Sequence, residues 1–256
     1  MALSVTQAAV SQVAVAVGLV LAAIALSAAT RMGLGRELAV VALRAIVQLT
    51  VVGLVVTLVF EHVGLAAAFI VVMLGAASLT SARRIRGVRR PLAVAAVAIG
   101  APALAALAIL LAAQAFPATP RGIIPVAGIL IGGAMAAVSL AGRRVLEELE
   151  DRLDEIEARL ALGASARAAL YPAVKRAVGT ALVPVMDQTR NVGLVALPGT
   201  FVGLILGGAS PAEAARVQLT VLLSLLAVEL AAALLLARLV TAAAVAPGER
   251  VVPPVG

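Results

Sequence analysis

Cysteine is absent from all 256 residues, and there is a single histidine, His62. The first absence excludes disulfides, thiolate metal sites and cysteine nucleophiles; the second excludes multi-histidine metal or proton chemistry within one chain. Charge is scarce too: 13% of residues are acidic or basic against 63% hydrophobic, and mean hydropathy is +1.14. A soluble domain is about half apolar and a quarter charged, so the chain reads as an all-α integral membrane protein. No Gly-Lys-Ser/Thr triplet occurs, so no Walker A phosphate loop is present and any ATP must be handled elsewhere. The net charge of +7, nearly all arginine with Lys175 the one lysine, reads as membrane topology and not as a nucleic-acid surface.

Apolar stretches near Ala8–Ala29, Leu38–Phe60, Val63–Ala82, Leu92–Phe116, Ile123–Ala141, Ala181–Gly208 and Val217–Val240 approach or reach the roughly 20 residues that a helix needs to cross a bilayer. About seven membrane helices are expected, the sixth interrupted by polar residues. The connections after the first, third, fifth and seventh stretches hold Arg31 and Arg36; Arg83, Arg84, Arg86, Arg89 and Arg90; seven bases from Arg143 to Arg176; and Arg238 with Arg250. The alternate set holds only Arg121 and Arg216, so the positive-inside rule predicts an outside N-terminus and a cytoplasmic C-terminus. The first stretch lacks a positive leading region, which favours a retained helix over a cleaved signal peptide. One permease-sized domain, 1–245, is expected, with an unstructured tail over 246–256 that contains Pro247, Pro253 and Pro254.

Between the fifth and sixth stretches the chain changes character. From Arg143 to Arg176 it carries seven acids and seven bases, and Leu146, Leu149, Leu153, Ile156 and Leu160 recur at 3-4-3-4 spacing. That is a helix with one apolar seam, continuing the fifth membrane helix, its charges placed for intrahelical pairs. Gly163 is suited to end it in a left-handed conformation, and Ser165 to cap a second helix over Ala166–Arg176, with Ala168, Ala169, Leu170 and Tyr171 as contacts and Pro172 tolerated only in the first turns. Two helices meeting at a glycine make a compact cytoplasmic knob, a docking surface for a subunit that supplies energy.

Charges inside a bilayer are costly and each is a functional candidate. Arg44 and Gln48 share a face of the second helix; Asp187, Gln188, Arg190 and Asn191 cluster at the start of the sixth; Glu229 stands midway along the seventh with no base within four positions. Asp187 and Arg190 can neutralise each other, or Asp187 can meet a cationic substrate when that pair opens. Glu229 needs a partner on another helix, such as Arg44, or stays protonated. A hard cation would need several oxygens, and Asp187, Glu229, Gln48 and Asn191 are the set available. Glu61 with His62 reads as a surface pair. Leu197, Pro198 and Gly199 should break the sixth helix and form a gate or hinge. Gly199, Gly203 and Gly207, and Gly128 with Gly132, read as faces for close helix approach. Ser210-Pro211-Ala212-Glu213 reads as a capped external helix start.

Glu157-Ala158 followed by Gly163 resembles the cytoplasmic glutamate-alanine-glycine loop of bacterial ABC-importer permeases, with Arg159 where alanine is usual and Lys175-Arg176 where Leu-Pro is usual. Arg44-Ala-Ile-Val-Gln-Leu49, Ile124-Pro-Val-Ala-Gly128, Leu162-Gly-Ala-Ser165 and Val192-Gly-Leu-Val-Ala-Leu-Pro-Gly199 are similar to the FetB-type iron-export permeases, which have plant relatives linked to aluminium tolerance. Arg190 replaces a usual lysine and Val217-Gln218 a usual Tyr-Gln. The resemblance implies a homodimeric permease driven by a separate ATP-binding subunit that uses ATP and magnesium, with no cofactor held by this chain. It also implies coupling through Glu157, Ala158, Gly163, Ala164, Ser165 and Tyr171, and export of iron. Other readings are an ABC permease for an organic anion or a sugar nucleotide, an ATPase-independent secondary transporter, or a membrane scaffold.

Overall fold

The computed structural model describes residues 2–246, 250 and 251. The chain forms two compact units, Met1–Glu61 and His62–Gly256. The first is a helical pair, α1 (Ala2–Ala29) and α2 (Gly35–Glu61). Its turn is held by the Leu34 amide donating to Ser27 Oγ at 3.0 Å, with Arg31 and Gly33 at positive φ. Most of its described side chains are exposed, an inside-out distribution suited to lipid.

The second unit contains α3 (Val63–Ala82), α4 (Pro91–Ala112), α5 (Pro120–Asp151), α6 (Leu153–Ala161), α7 (Ala166–Ala181), α8 (Val183–Asn191), α9 (Gly199–Leu206) and α10 (Pro211–Ala244). Val245–Ala246 (β1) and Arg250–Val251 (β2) form a two-residue antiparallel pair. For 247–249 and 252–256 the expected unstructured tail lies outside the described residues. Ser210 caps α10 as expected, accepting from the Glu213 amide at 3.2 Å ahead of Pro211.

The core is built around α5, which packs against α3, α4, α7 and α10. Leu130, Ala134, Val138, Ala141 and Val145 are fully buried along one stripe of it. Apolar burial drives little association inside lipid, so close approach at small residues and hydrogen bonds must supply it. Both are present. Ser81 of α3 and Ser139 of α5 hydrogen-bond at 2.9 Å, and Ser81 Oγ also donates to the Met135 carbonyl at 3.3 Å. A Cβ added at Gly133 would overlap Leu225 and stand 2.8 Å from Glu229 Oε1; one at Gly142 would overlap Ile85 and stand 3.2 Å from Leu236. The expected contacts at Gly128 and Gly132 are replaced by these: Gly132 meets nothing and Gly128 only touches Met73 at 3.7 Å.

That register has a topological consequence. Going from Gly133 to Gly142 on α5, the facing residues on α10 advance from Leu225 and Glu229 to Leu236, so the two helices run parallel. The chain must therefore return across the layer between them, and α7, α8 and α9 make that return. Among the described residues six helices, α1 to α5 and α10, are long and apolar enough to cross a membrane. The sixth apolar stretch is not one interrupted helix. The nine residues of α8 and the eight of α9 span only about 13 and 12 Å and are joined by an open turn.

Gly142→Ala is expected to destabilise the unit by about 1–3 kcal/mol through overpacking against Ile85, whereas Gly132→Ala, with open space at its Cβ, leaves thermal unfolding nearly unchanged. Equal melting temperatures for the two variants in detergent would contradict this packing.

Candidate functional site

The charged segment forms a knob of three helical pieces. α5 runs ten residues past Ala141, breaks at Arg152 (φ −121, ψ 24) and resumes as α6. Gly163 then takes φ +85, a conformation that costs a side-chain-bearing residue about 1–2 kcal/mol. Ser165 caps α7 by accepting from the Ala168 amide at 3.3 Å. α7 runs five residues further than expected, to Ala181, and accommodates Pro172 in its second turn.

Charges tie these pieces together in one alternating ladder. Arg176 of α7 donates to Glu148 of α5 at 3.0 Å, and Arg152, at the break, donates to Glu148 at 2.9 Å and to Glu155 of α6 at 3.1 Å. Arg159 donates to Glu155 at 2.9 Å. Exposed pairs are worth only about 0.2–1 kcal/mol each. Burial of Leu149, Ile156 and Leu170 contributes more, about 1.5–3 kcal/mol per side chain. Apolar contacts therefore hold the knob and the ladder sets its angles.

The expected contact residues differ in exposure. Glu157, Ala158 and Gly163 are exposed, Ala164 is half-buried, and Tyr171 is 63% exposed. Glu157 has no ion pair among the described residues, although an intrahelical one was open to it. Leu162, 88% exposed at the tip, is an outward apolar side chain that helical periodicity could not flag, because it falls just beyond the end of α6.

The polar membrane residues are dispersed. Asp187 and Arg190 pair at 3.0 Å on α8, both exposed, and Gln188 and Asn191 are exposed beside them. The Asn191 carbonyl accepts from the Leu194, Val195 and Ala196 amides, and the Gly193 amide donates to Ala196, which closes the turn that follows. Leu197 is exposed in that turn and Pro198 precedes Gly199, the first residue of α9, so the expected break is there, as a turn between two short helices. Gly199 and Gly203 meet nothing at their Cβ positions. Glu229 is half-buried against Gly133 and has no ion-pair partner among the described residues of its own unit. Gln218, three turns earlier on α10, is buried with Oε1 unpaired; as the end of a short sequence motif it gave no sign of this. Arg44 and Gln48 are exposed on α2 in the other unit. Among the described residues no group of three or more His, Asp or Glu side chains is placed to hold a metal ion.

Residues 10–244 match the family described as "Uncharacterised protein family (UPF0014)". The chain belongs to the UPF0014 family. The UPF0014 membrane protein STAR2 of Oryza sativa subsp. japonica is 40% identical over 81% of this chain and 73% of its own. The Arabidopsis thaliana protein ALUMINUM SENSITIVE 3 is 36% identical over 82% of this chain and 77% of its own. The probable iron export permease protein FetB of Escherichia coli is 31% identical, covering 83% of each chain. No solved structure matches. With its six apolar helices, this UPF0014 chain is a multi-pass membrane protein.

Hydrogen bonds first from Arg159 and then from Arg152 hold the Glu155 carboxyl below its ordinary value of 4.5. A depressed folded value stabilises at pH above 4.5, and that contribution is lost as pH falls through the folded value. Wild type should therefore melt slightly above Glu155→Gln at neutral pH and lose that margin in acid. A margin that persists unchanged in acid would show that the ladder does not stabilise α6.

Proposed function

We propose that this chain is the membrane-spanning permease subunit of an ABC transporter that exports metal ions, iron by kinship with FetB. It works as a homodimer in the cytoplasmic membrane, with its N-terminus outside and the knob in the cytoplasm. A separate subunit binds and hydrolyses ATP with magnesium, and this chain performs no covalent chemistry. The observation that carries the reading is the knob itself: a rigid, ladder-tied elbow continuous with α5, with unpaired Glu157 and exposed Leu162 facing outward. A partner that closes on ATP needs a handle that moves a helix and does not bend, and α5 extends unbroken from Pro120 to Asp151.

In this reading Glu157, Ala158, Gly163, Ala164, Ser165 and Tyr171 form the contact with the ATPase. Asp187, Arg190, Asn191 and Glu229 line the path in the second unit, and the turn at Leu197–Gly199 opens it. Carboxylates and amide oxygens are hard ligands, which suits a hard cation better than an organic anion.

Inside-out vesicles holding this chain and its ATPase should accumulate iron when ATP is added. Gly163→Pro, which forces φ near −65° where +85° is needed, should abolish accumulation. Glu229→Gln should lower accumulation while the ATPase still copurifies. If iron does not accumulate although the two proteins copurify, the metal assignment falls and ATPase coupling stands; if they never copurify, the coupling itself falls.

A further inference from the structure

Two grooves flank the arginine-bearing end of α10. One, about 480 Å³, lies between α7 and α10, with Leu170, Val174, Leu234 and Val245 among its walls and Arg167 and Arg238 beside them. The other, about 500 Å³, lies between the start of α4 and α10, lined by Val94, Val97 and Leu239 with Arg89 and Arg90. None of the four arginines has an ion-pair partner among the described residues. Each groove thus joins apolar walls to two unpaired guanidiniums.

Their depth is set by α10. Arg216 and Arg238 bracket its apolar run, and 22 residues of helix rise about 33 Å, close to the roughly 30 Å hydrocarbon thickness of a bilayer. Arg238 therefore stands at the level of lipid headgroups. A guanidinium binds phosphate oxygens through two parallel N–H donors, and basic pockets between membrane helices suit anionic headgroups. A free phosphate would gain nothing from Leu234 and Val174; an acyl chain would.

We propose that the α7–α10 groove binds one anionic phospholipid, its phosphate held by Arg167 and Arg238 and an acyl chain laid along Leu234 and Val174. The α4–α10 groove takes a second in the same way through Arg89 and Arg90. This assignment needs only the multi-pass membrane placement and stands apart from the transport reading.

The test is native mass spectrometry of the full chain in detergent, titrated with phosphatidylglycerol or phosphatidylcholine. The wild type should retain two phosphatidylglycerol molecules and favour them by about tenfold or more, as expected for hydrogen bonds to charged groups. Arg167→Gln with Arg238→Gln should lose one of the two. Leu234→Trp, which fills the groove and spares both charges, should lose the same one, so the proposal stays testable if the double variant fails to fold. Equal retention of the two lipids, or undiminished phosphatidylglycerol binding in the variants, overturns it. Competition by inorganic phosphate at lipid concentrations would show an ion site, not a lipid groove. Loss of ATPase copurification with lipid binding intact would show a protein-docking face; either result also overturns the proposal.

Discussion

Parallel contact between α5 and α10 is the constraint on which the rest of the second unit depends. Two helices that touch along their length and point the same way oblige the chain to cross the layer once more between Asp151 and Pro211. That crossing is built from short pieces, not from one long helix. A backbone in hydrocarbon needs its polar groups satisfied, and this return satisfies several locally: the Asn191 carbonyl collects three amides, and Gly193 pairs with Ala196. Irregular backbone at membrane depth is tolerated where it lines a cavity or is buried in protein. On the proposed function, the break in the return pass is where the path would lie.

The contact also explains the distribution of small residues. Gly133 and Gly142 are the positions where side chains from elsewhere in the fold crowd α5, Leu225 with Glu229 at the first and Ile85 with Leu236 at the second. A half-buried carboxylate packed on a glycine gains no opposite charge from that contact. Asp187, by contrast, is paired with Arg190 on its own helix.

Much of this was legible in the chain itself. Five of the seven apolar runs became single continuous helices near their expected bounds, and a sixth did so with α5 extended into the charged region. Gly163, Ser165 and Ser210 acted as their residue types dictate, because capping and left-handed turns are local chemistry. The interrupted run reads as one helix broken at Pro198-Gly199, and the break is there; that the run divides into two short helices with an open turn from Val192 is hidden because hydropathy averages across a turn. Glycine spacing misplaced the close contact by one position, since repetition along a helix does not say which face meets a neighbour. Glu148 bonding to Arg176, 28 residues away, could not be found from helical spacing at all. The unpaired Oε1 of Gln218 depends on burial, which only the assembled helices decide.

The continuity of α5 has a mechanical meaning. From Leu149, beside the ladder, to Gly133, against Glu229, lie sixteen residues of unbroken helix, about 24 Å. A helix resists compression far better than a loop resists bending, so on the proposed function α5 is a push-rod: a stroke applied at the knob is delivered, nearly undiminished, beside the half-buried carboxylate of Glu229. Gly142, wedged between Ile85 and Leu236, is its bearing. On the proposed function, the work of nucleotide closure enters the membrane along that axis, and the slack needed to absorb it is confined to the jointed return pass.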